Sequence, residues 1–246
     1  MIVIPMAGLS SRFFDAGFDK PKYALEAHGR TLFFHSVGSF GRYFDEVPFL
    51  FITLETYGAT DFIREQASDL GIRDFDVVEL EMATRGQAET VSLGLDRARI
   101  GDAAVTVFNI DTCCPDFRYP DYVDDCDGYL QVFRGSGSNW SYARPADSDS
   151  NKVAETAEKN PISDLCSTGL YHFRSAAMFQ AAYAEQCRTG ELQNNELYVA
   201  PLYNRLIAMG LDIRFDLIER ERVIFFGTPD EYRVFKDNPD PPFRNI

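Results

Sequence analysis

The chain is poor in positive charge: 24 lysines and arginines stand against 38 aspartates and glutamates, a formal net charge of −14. A nucleic-acid surface ordinarily shows a basic patch, so this balance argues against nucleic acid as a partner, while a local basic pocket for phosphates survives inside an acidic shell. Histidine is scarce. Only His28, His35 and His172 occur, none at metal-ligand spacing from a cysteine or another histidine, which sets zinc chemistry aside. The five cysteines, at 113, 114, 126, 166 and 187, form no CxxC pair, and an odd number would leave one unpaired in an oxidising compartment. No hydrophobic run approaches a transmembrane length, and the apolar opening is too short for a secretory signal and lacks preceding positive charge. The expectation is a soluble, cytoplasmic protein with no membrane partner.

What is present begins at the N-terminus. The apolar run Ile2-Val3-Ile4-Pro5-Met6 opens into Ala7-Gly8-Leu9-Ser10-Ser11-Arg12-Phe13 and then reaches Lys20-Pro21-Lys22-Tyr23. A short buried strand thus empties into a small-residue loop bearing basic side chains. Ala7 and Gly8 put no bulk in the way of backbone N–H groups, Ser10 and Ser11 add donors, and the following helix offers its positive N-terminus to an anion. Arg12 and Lys22 would supply the charge a polyphosphate needs. Taken alone, the loop is equally readable as an ordinary strand-to-helix turn with two solvated basic residues.

Along the chain, short apolar runs alternate with amphipathic stretches, the pattern of a parallel sheet covered by helices. Residues 48–53, 75–80 and 103–110 read as strands, and 31–40, 60–70 and 88–98 as helices. The last of these strands delivers Asp111 at its carboxyl end. Ligands of open α/β sheets bind beyond the carboxyl ends of strands, which puts Asp111 and the Gly8 loop on one rim. Elsewhere such an aspartate is a helix cap or turn former. Beside a phosphate loop it suits a magnesium ion, which takes one or two protein carboxylates and keeps phosphate oxygens or water in its other positions.

The segments GLSSRF and DKPKY are similar to the signature of the nucleotidyltransferases that join a nucleoside triphosphate to a phosphorylated sugar or small alcohol, roughly GxGxR followed by PK. The chain departs from it at Ser10-Ser11, where many members carry Gly-Thr or another glycine. Asn109-Ile110-Asp111-Thr112 resembles the metal-binding aspartate motif of the same family, in the same order and at a similar spacing. Thr84-Arg85-Gly86-Gln87-Ala88-Glu89 resembles its small-residue turn at a helix start, which packs on the nucleobase; Gly86 and Ala88 leave room for a flat ring, and Gln87 or Glu89 reaches its edge. The bland alternative there is a helix N-terminus capped by Thr84.

In the second half, Glu158-Lys159 followed by Thr168-Gly169-Leu170-Tyr171 resembles the family's acceptor-binding pair and the glycine strand that lets the acceptor approach the backbone. Glu158 and Lys159 alone would pass for a surface pair. Glu196 reads as an acid in the first turn of a helix running from Asn194 through Ile207, placed to complement the helix dipole or to meet the acceptor. Gly227-Thr228-Pro229 is similar to the family's GTP motif, but Phe225 stands where many members carry a second metal-binding aspartate. Asp111 with phosphates and water, or another acid such as Asp216 or Glu219, is left to hold the metal, or else catalysis is impaired.

The resemblance, spanning residues 3 to 232, implies a Rossmann-like fold of the glycosyltransferase A type with a mixed, mostly parallel sheet flanked by helices. It implies one domain over 1–235, with a nucleotide-binding half (1–112), an acceptor-binding half (113–235) and an extended tail (236–246). It also implies Mg2+ as cofactor and transfer of a nucleotidyl group, with Arg12, Lys22 and Asp111 central. Within the family the chain looks most like bacterial proteins that make capsule or other surface polysaccharides. A glycosyltransferase is the first alternative, although Asp111-Thr112-Cys113 lacks a DxD signature; a non-catalytic nucleotide-binding module is the second. A homodimer is compatible with the sequence and not required by it.

Overall fold

The structure is a computed structural model that describes residues 1–190 and 196–239. In chain order the first elements are β1 (Ile2–Pro5), α1 (Ser11–Asp15), β2 (Glu26–Ala27), β3 (Arg30–Thr31), α2 (Leu32–Val37), β4 (Phe49–Leu54), α3 (Thr60–Asp69) and β5 (Phe75–Leu80). Next come α4 (Gln87–Arg97), β6 (Val105–Phe108), β7 (Thr112–Cys113), β8 (Gly128–Arg134), β9 (Ser141–Pro145), β10 (Val153–Glu158) and β11 (Leu165–Phe173). The chain closes with α5 (Ala176–Thr189), α6 (Leu202–Ala208), β12 (Ile213–Leu217), β13 (Ile224–Phe225) and α7 (Pro229–Asp237). The fold is α/β, with parallel and antiparallel strand pairs flanked by helices. Two compact units divide it: one holds residues 1–3, 84–108 and 119–220, the other 4–83, 109–118 and 221 onward.

In the unit that contains the N-terminal loop, β4 is buried along its whole length and pairs in parallel with β5, from Phe49 opposite Phe75 to Leu54 opposite Leu80. A strand hidden on both faces reads as a near-continuous apolar run, which is why residues 48–53 read as a strand one residue ahead of β4. Thr31 starts α2 by accepting the Phe34 N–H on its hydroxyl at 3.1 Å. Thr228 starts α7 with a capping box, its side chain accepting the Glu231 N–H while Glu231 accepts the Thr228 N–H. Phe13, Leu25, Leu32, Cys113, Phe226, Tyr232 and Phe235 form one buried cluster joining α1, α2, β7 and α7.

In the other unit β11 is the central strand, with all nine residues buried. It pairs antiparallel with β6, β8 and β9, and β6 in turn pairs in parallel with Ile2 and Val3 of β1. β8 and β9 each pair with β11, and β9 forms a hairpin with β10. The expected extended tail starts later than residue 236, since α7 carries on through Asp237. Residues 240–246 lie outside the described residues.

Candidate active site

Asp111 lies between β6 and β7 in the chain, in the same unit as the N-terminal loop. Two backbone features fix it. Its carbonyl accepts the Phe226 N–H at 3.0 Å, and β7 pairs with β13 in a register that sets Phe225 opposite Thr112. Beyond that pair, Gly227 presses on the carboxylate: a Cβ at this position would stand 2.7 Å from Asp111 Oδ2. A side chain there would have to displace the aspartate carboxylate.

Lys22 reaches the same oxygen. Pro21 in extended conformation precedes a short 3₁₀ turn that begins at Lys22, the Lys22 N–H donates to Ser10 Oγ at 3.2 Å, and its Nζ donates to Asp111 Oδ2 at 2.6 Å. The loop, the lysine and the aspartate are thus one connected set, as the shared rim required. The two ion-pair side chains are 22% and 23% exposed, enough for a ligand to reach both. Ser10 takes the left-handed conformation, φ 53°, as the chain turns into α1, and its carbonyl accepts the Phe13 N–H at 2.9 Å. Arg12 and Ser11 are exposed on α1, Ala7 is buried and Gly8 exposed.

The Gly86 turn and the acceptor-side residues lie together in the other unit. Gly86 precedes α4 with φ 146°, and a Cβ on it would fall 2.5 Å from the Leu197 carbonyl oxygen. Leu197 is joined to this turn on both sides, donating its N–H to the Arg85 carbonyl at 2.8 Å and accepting the Ala88 N–H at 2.9 Å. Thr84 does not cap α4. Its hydroxyl bonds the Gly86 carbonyl at 3.1 Å and the Thr90 hydroxyl at 2.7 Å. Glu89 carries its carboxylate to Arg85, while Gln87 is half-buried at the helix start.

Glu158 is buried at the end of β10, accepting from Ser141 Oγ, which also pairs with the Tyr171 hydroxyl at 3.1 Å. Burial raises its carboxyl above the usual range; the Ser141 hydrogen bond and the Lys159 charge oppose that, and Glu196 adds to it. Lys159 takes the left-handed conformation, φ 53°, and sends its Nζ to the Tyr198 hydroxyl at 2.5 Å. Gly169 lies at φ 91° in an irregularity of β11, where the register to β8 shifts between Ser167 and Tyr171. Glu196 is not in a helical first turn. Leu197 is held in backbone bonds to Arg85 and Ala88, and α6 begins only at Leu202, after Pro201. Asn194 and Asn195, the expected start of that helix, lie outside the described residues.

Several contributors were not read from sequence: Ser141, Tyr171, Tyr183, Leu197 and Tyr198. Leu197 acts through its backbone, which leaves no side-chain signal, and Tyr183 lies on α5, a helix whose small residues obscure the periodicity. The acids Asp216 and Glu219 belong to the unit that lacks Asp111; Asp216 accepts from Gln131 Nε2 at 3.1 Å, and Glu219 is exposed. Among the described residues no three His, Cys, Asp or Glu side chains gather into a metal cluster, and no helix is long and apolar enough to cross a membrane.

The fold is α/β with its N-terminal loop tied through Lys22 to the strand-end Asp111, and the chain belongs to the sugar-phosphate nucleotidyltransferase family. It is 55% identical to the nucleoside-diphosphate-sugar pyrophosphorylase from Vibrio cholerae RC9, over 97% of this chain and 100% of that one, with a TM-score of 0.94. The inositol-1-phosphate CTP transferase from T. maritima shares the fold at 14% identity and a TM-score of 0.71, over 94% of this chain and 90% of that one. A UDP-glucose pyrophosphorylase from Acinetobacter baumanii does so at 13% and 0.69, over 95% and 90%. No family model matches the sequence, and no curated protein does.

Proposed function

We propose that the protein transfers a nucleoside monophosphate from a nucleoside triphosphate to a sugar 1-phosphate or a similar phosphorylated acceptor, releasing pyrophosphate. The observation that carries this reading is the Lys22–Asp111 pair at 2.6 Å, joined to the phosphate loop through Ser10. The Vibrio cholerae relative, named a nucleoside-diphosphate-sugar pyrophosphorylase, points the same way.

In the reaction a phosphate oxygen of the acceptor forms a bond to the α-phosphorus of the triphosphate, and the bond from that phosphorus to the bridging oxygen of the β-phosphate breaks. Pyrophosphate leaves with that electron pair. Nucleophile and electrophile are both anionic, so the work of the protein is alignment and charge neutralisation, and no covalent intermediate is needed. Lys22 serves the α-phosphate and the acceptor phosphate; Arg12, the departing pyrophosphate; the Ala7–Ser11 loop, the triphosphate. Gly86, Gln87 and Ala88 bound the base, while Glu158, Lys159, Gly169 and Glu196 serve the acceptor.

The donor set fits Mg2+. The part-exposed Asp111 carboxylate suits an ion that shares its remaining positions with phosphate oxygens and water. When bound, Mg2+ supplies neutralisation of the triphosphate charge. Phe225, paired with Thr112 in the β13–β7 ladder, brings no carboxylate to that role, which we assign to Asp111.

We place the enzyme in the cytoplasm, in the supply of activated sugars for surface polysaccharide. The test is pyrophosphate release with CTP, UTP, GTP, ATP and dTTP in turn, with Mg2+, against a panel of sugar 1-phosphates and phosphorylated amino alcohols. Release that requires one triphosphate and one acceptor confirms the reaction. Nucleotide binding with no release from any pair overturns it.

A further inference from the structure

Glu89 is the third residue of α4 and reaches back over the turn that precedes the helix. One carboxylate oxygen accepts the Arg85 backbone N–H at 2.5 Å; the other accepts from Arg85 Nε at 2.8 Å and from the Tyr183 hydroxyl at 3.2 Å, with Arg85 Nη2 at 2.6 Å. Its side chain is 15% exposed. Burial opposes its charged form, but the Arg85 hydrogen bonds outweigh that and hold the carboxyl below its usual range. Both oxygens are engaged inside the protein, so the group is already committed to its neighbours.

Those neighbours lead to the acceptor side. Arg85, whose N–H Glu89 holds, offers its carbonyl to the Leu197 N–H, and Ala88 donates to the Leu197 carbonyl. The next residue, Tyr198, takes the Lys159 ammonium, and the Lys159 N–H donates to the Trp140 carbonyl at 2.8 Å. Gly86 lets the two backbones close to this distance, since any Cβ would strike Leu197.

We propose that Glu89, with Arg85 and Tyr183, is a positioning residue that locks the nucleobase turn onto the Leu197 segment, so that nucleotide binding is transmitted to Tyr198 and Lys159. This rests on the nucleotidyltransferase reading. Glu89 acts on every nucleobase alike, because it sets the turn and not the edge of the ring. Nucleotide and acceptor binding are then linked by a coupling free energy carried through two backbone hydrogen bonds.

Trp140 is the only tryptophan of the chain, so its emission reports on the Lys159 side. The experiment measures affinity for each of CTP, UTP, GTP, ATP and dTTP by calorimetry, and Trp140 emission at nucleotide saturation, in the wild type, Glu89→Ala, Glu89→Gln and Tyr183→Phe. Thermal melting checks that each variant is folded. Glu89→Ala should bind every nucleotide about ten-fold more weakly, in unchanged order, and lose the Trp140 response, a coupling within the usual range. Glu89→Gln, which keeps an acceptor for the Arg85 N–H, should recover part of both, and Tyr183→Phe should fall a few-fold. In turnover the loss should appear in KM for nucleotide and for acceptor more than in kcat.

Affinity unchanged within about two-fold in folded Glu89→Ala overturns the proposal, as does a loss confined to one base, which would make Glu89 a direct contact. An unaltered Trp140 response at saturation also overturns it. Failure of the wild type to bind any nucleotide would instead overturn the nucleotidyltransferase reading on which the lock depends.

Discussion

Lys22 and Asp111, 89 positions apart in the sequence, meet at 2.6 Å, and Gly227 closes on the same carboxylate oxygen from a third segment. The cation and the anion that we propose serve one phosphate chemistry thus hold each other in place. Replacing either leaves the other charge misplaced, so the pair should fail as a unit. Lys22→Ala and Asp111→Asn are each expected to lower kcat/KM by about 100-fold or more with melting temperature little changed, and the double variant to be far less than additive. Steady-state pyrophosphate release on all three variants checks this, and near-full turnover in either single variant would sink the assigned roles.

Gly227→Ala tests the position of the aspartate without touching its charge. The added methyl must displace the Asp111 carboxylate or the β13–β7 strand pair behind it. We expect kcat to fall about ten-fold and the concentration of Mg2+ needed for half-maximal rate to rise, as small misplacements of aligned groups have large effects. A Mg2+ titration of rate reads both.

Phe235→Ala tests the scaffold behind the site. Phe235 is buried in the cluster with Phe13, Cys113 and Phe226, and its carbonyl pairs with His28 Nε2 at 2.7 Å. Removing the ring should cost about 3–5 kcal/mol of stability, seen in denaturant unfolding, while activity well below the melting temperature drops only a few-fold.

His172 gives the fold an acid limit. Burial, aided by the N-terminal ammonium, lowers its pKa to about 4, and its Nδ1 pairs with the Thr106 hydroxyl at 2.9 Å. The folded state therefore keeps His172 neutral while the unfolded chain, with an ordinary pKa near 6.5, takes up a proton. Stability from this residue is complete above about pH 6.5 and is lost progressively down to about pH 4, roughly 3 kcal/mol in all. His172→Gln should flatten that part of the stability profile measured by denaturant unfolding at stepped pH.

Much of this was legible in the sequence because the signals were local. Phe49–Leu54 is apolar but for Thr53 since both faces of the strand are covered, and Ser10, Lys22 and Asp111 carry their chemistry in their side chains. Glu196 misled because an acid ahead of Leu202, Leu206 and Ile207 reads as the first turn of their helix, whereas Leu197 spends its backbone on Arg85 and Ala88. That pairing leaves its trace in Gly86 and none in Leu197 itself. By contrast β12, which pairs in parallel with β8, alternates Ile213, Phe215 and Leu217 with Arg214 and Asp216, the period-two pattern of a half-covered strand.

Gly8 and Gly86 are the two glycines that we propose border the nucleotide, and the protein constrains them differently. At Gly86 the Leu197 backbone forbids any side chain, while at Gly8 a Cβ meets nothing within 4 Å. A library of substitutions at position 86 would therefore be sorted by folding. The same library at position 8 would fold almost regardless of residue, and only the presence of nucleotide would rank its members, which makes position 8 a caliper for the shape of the bound phosphates.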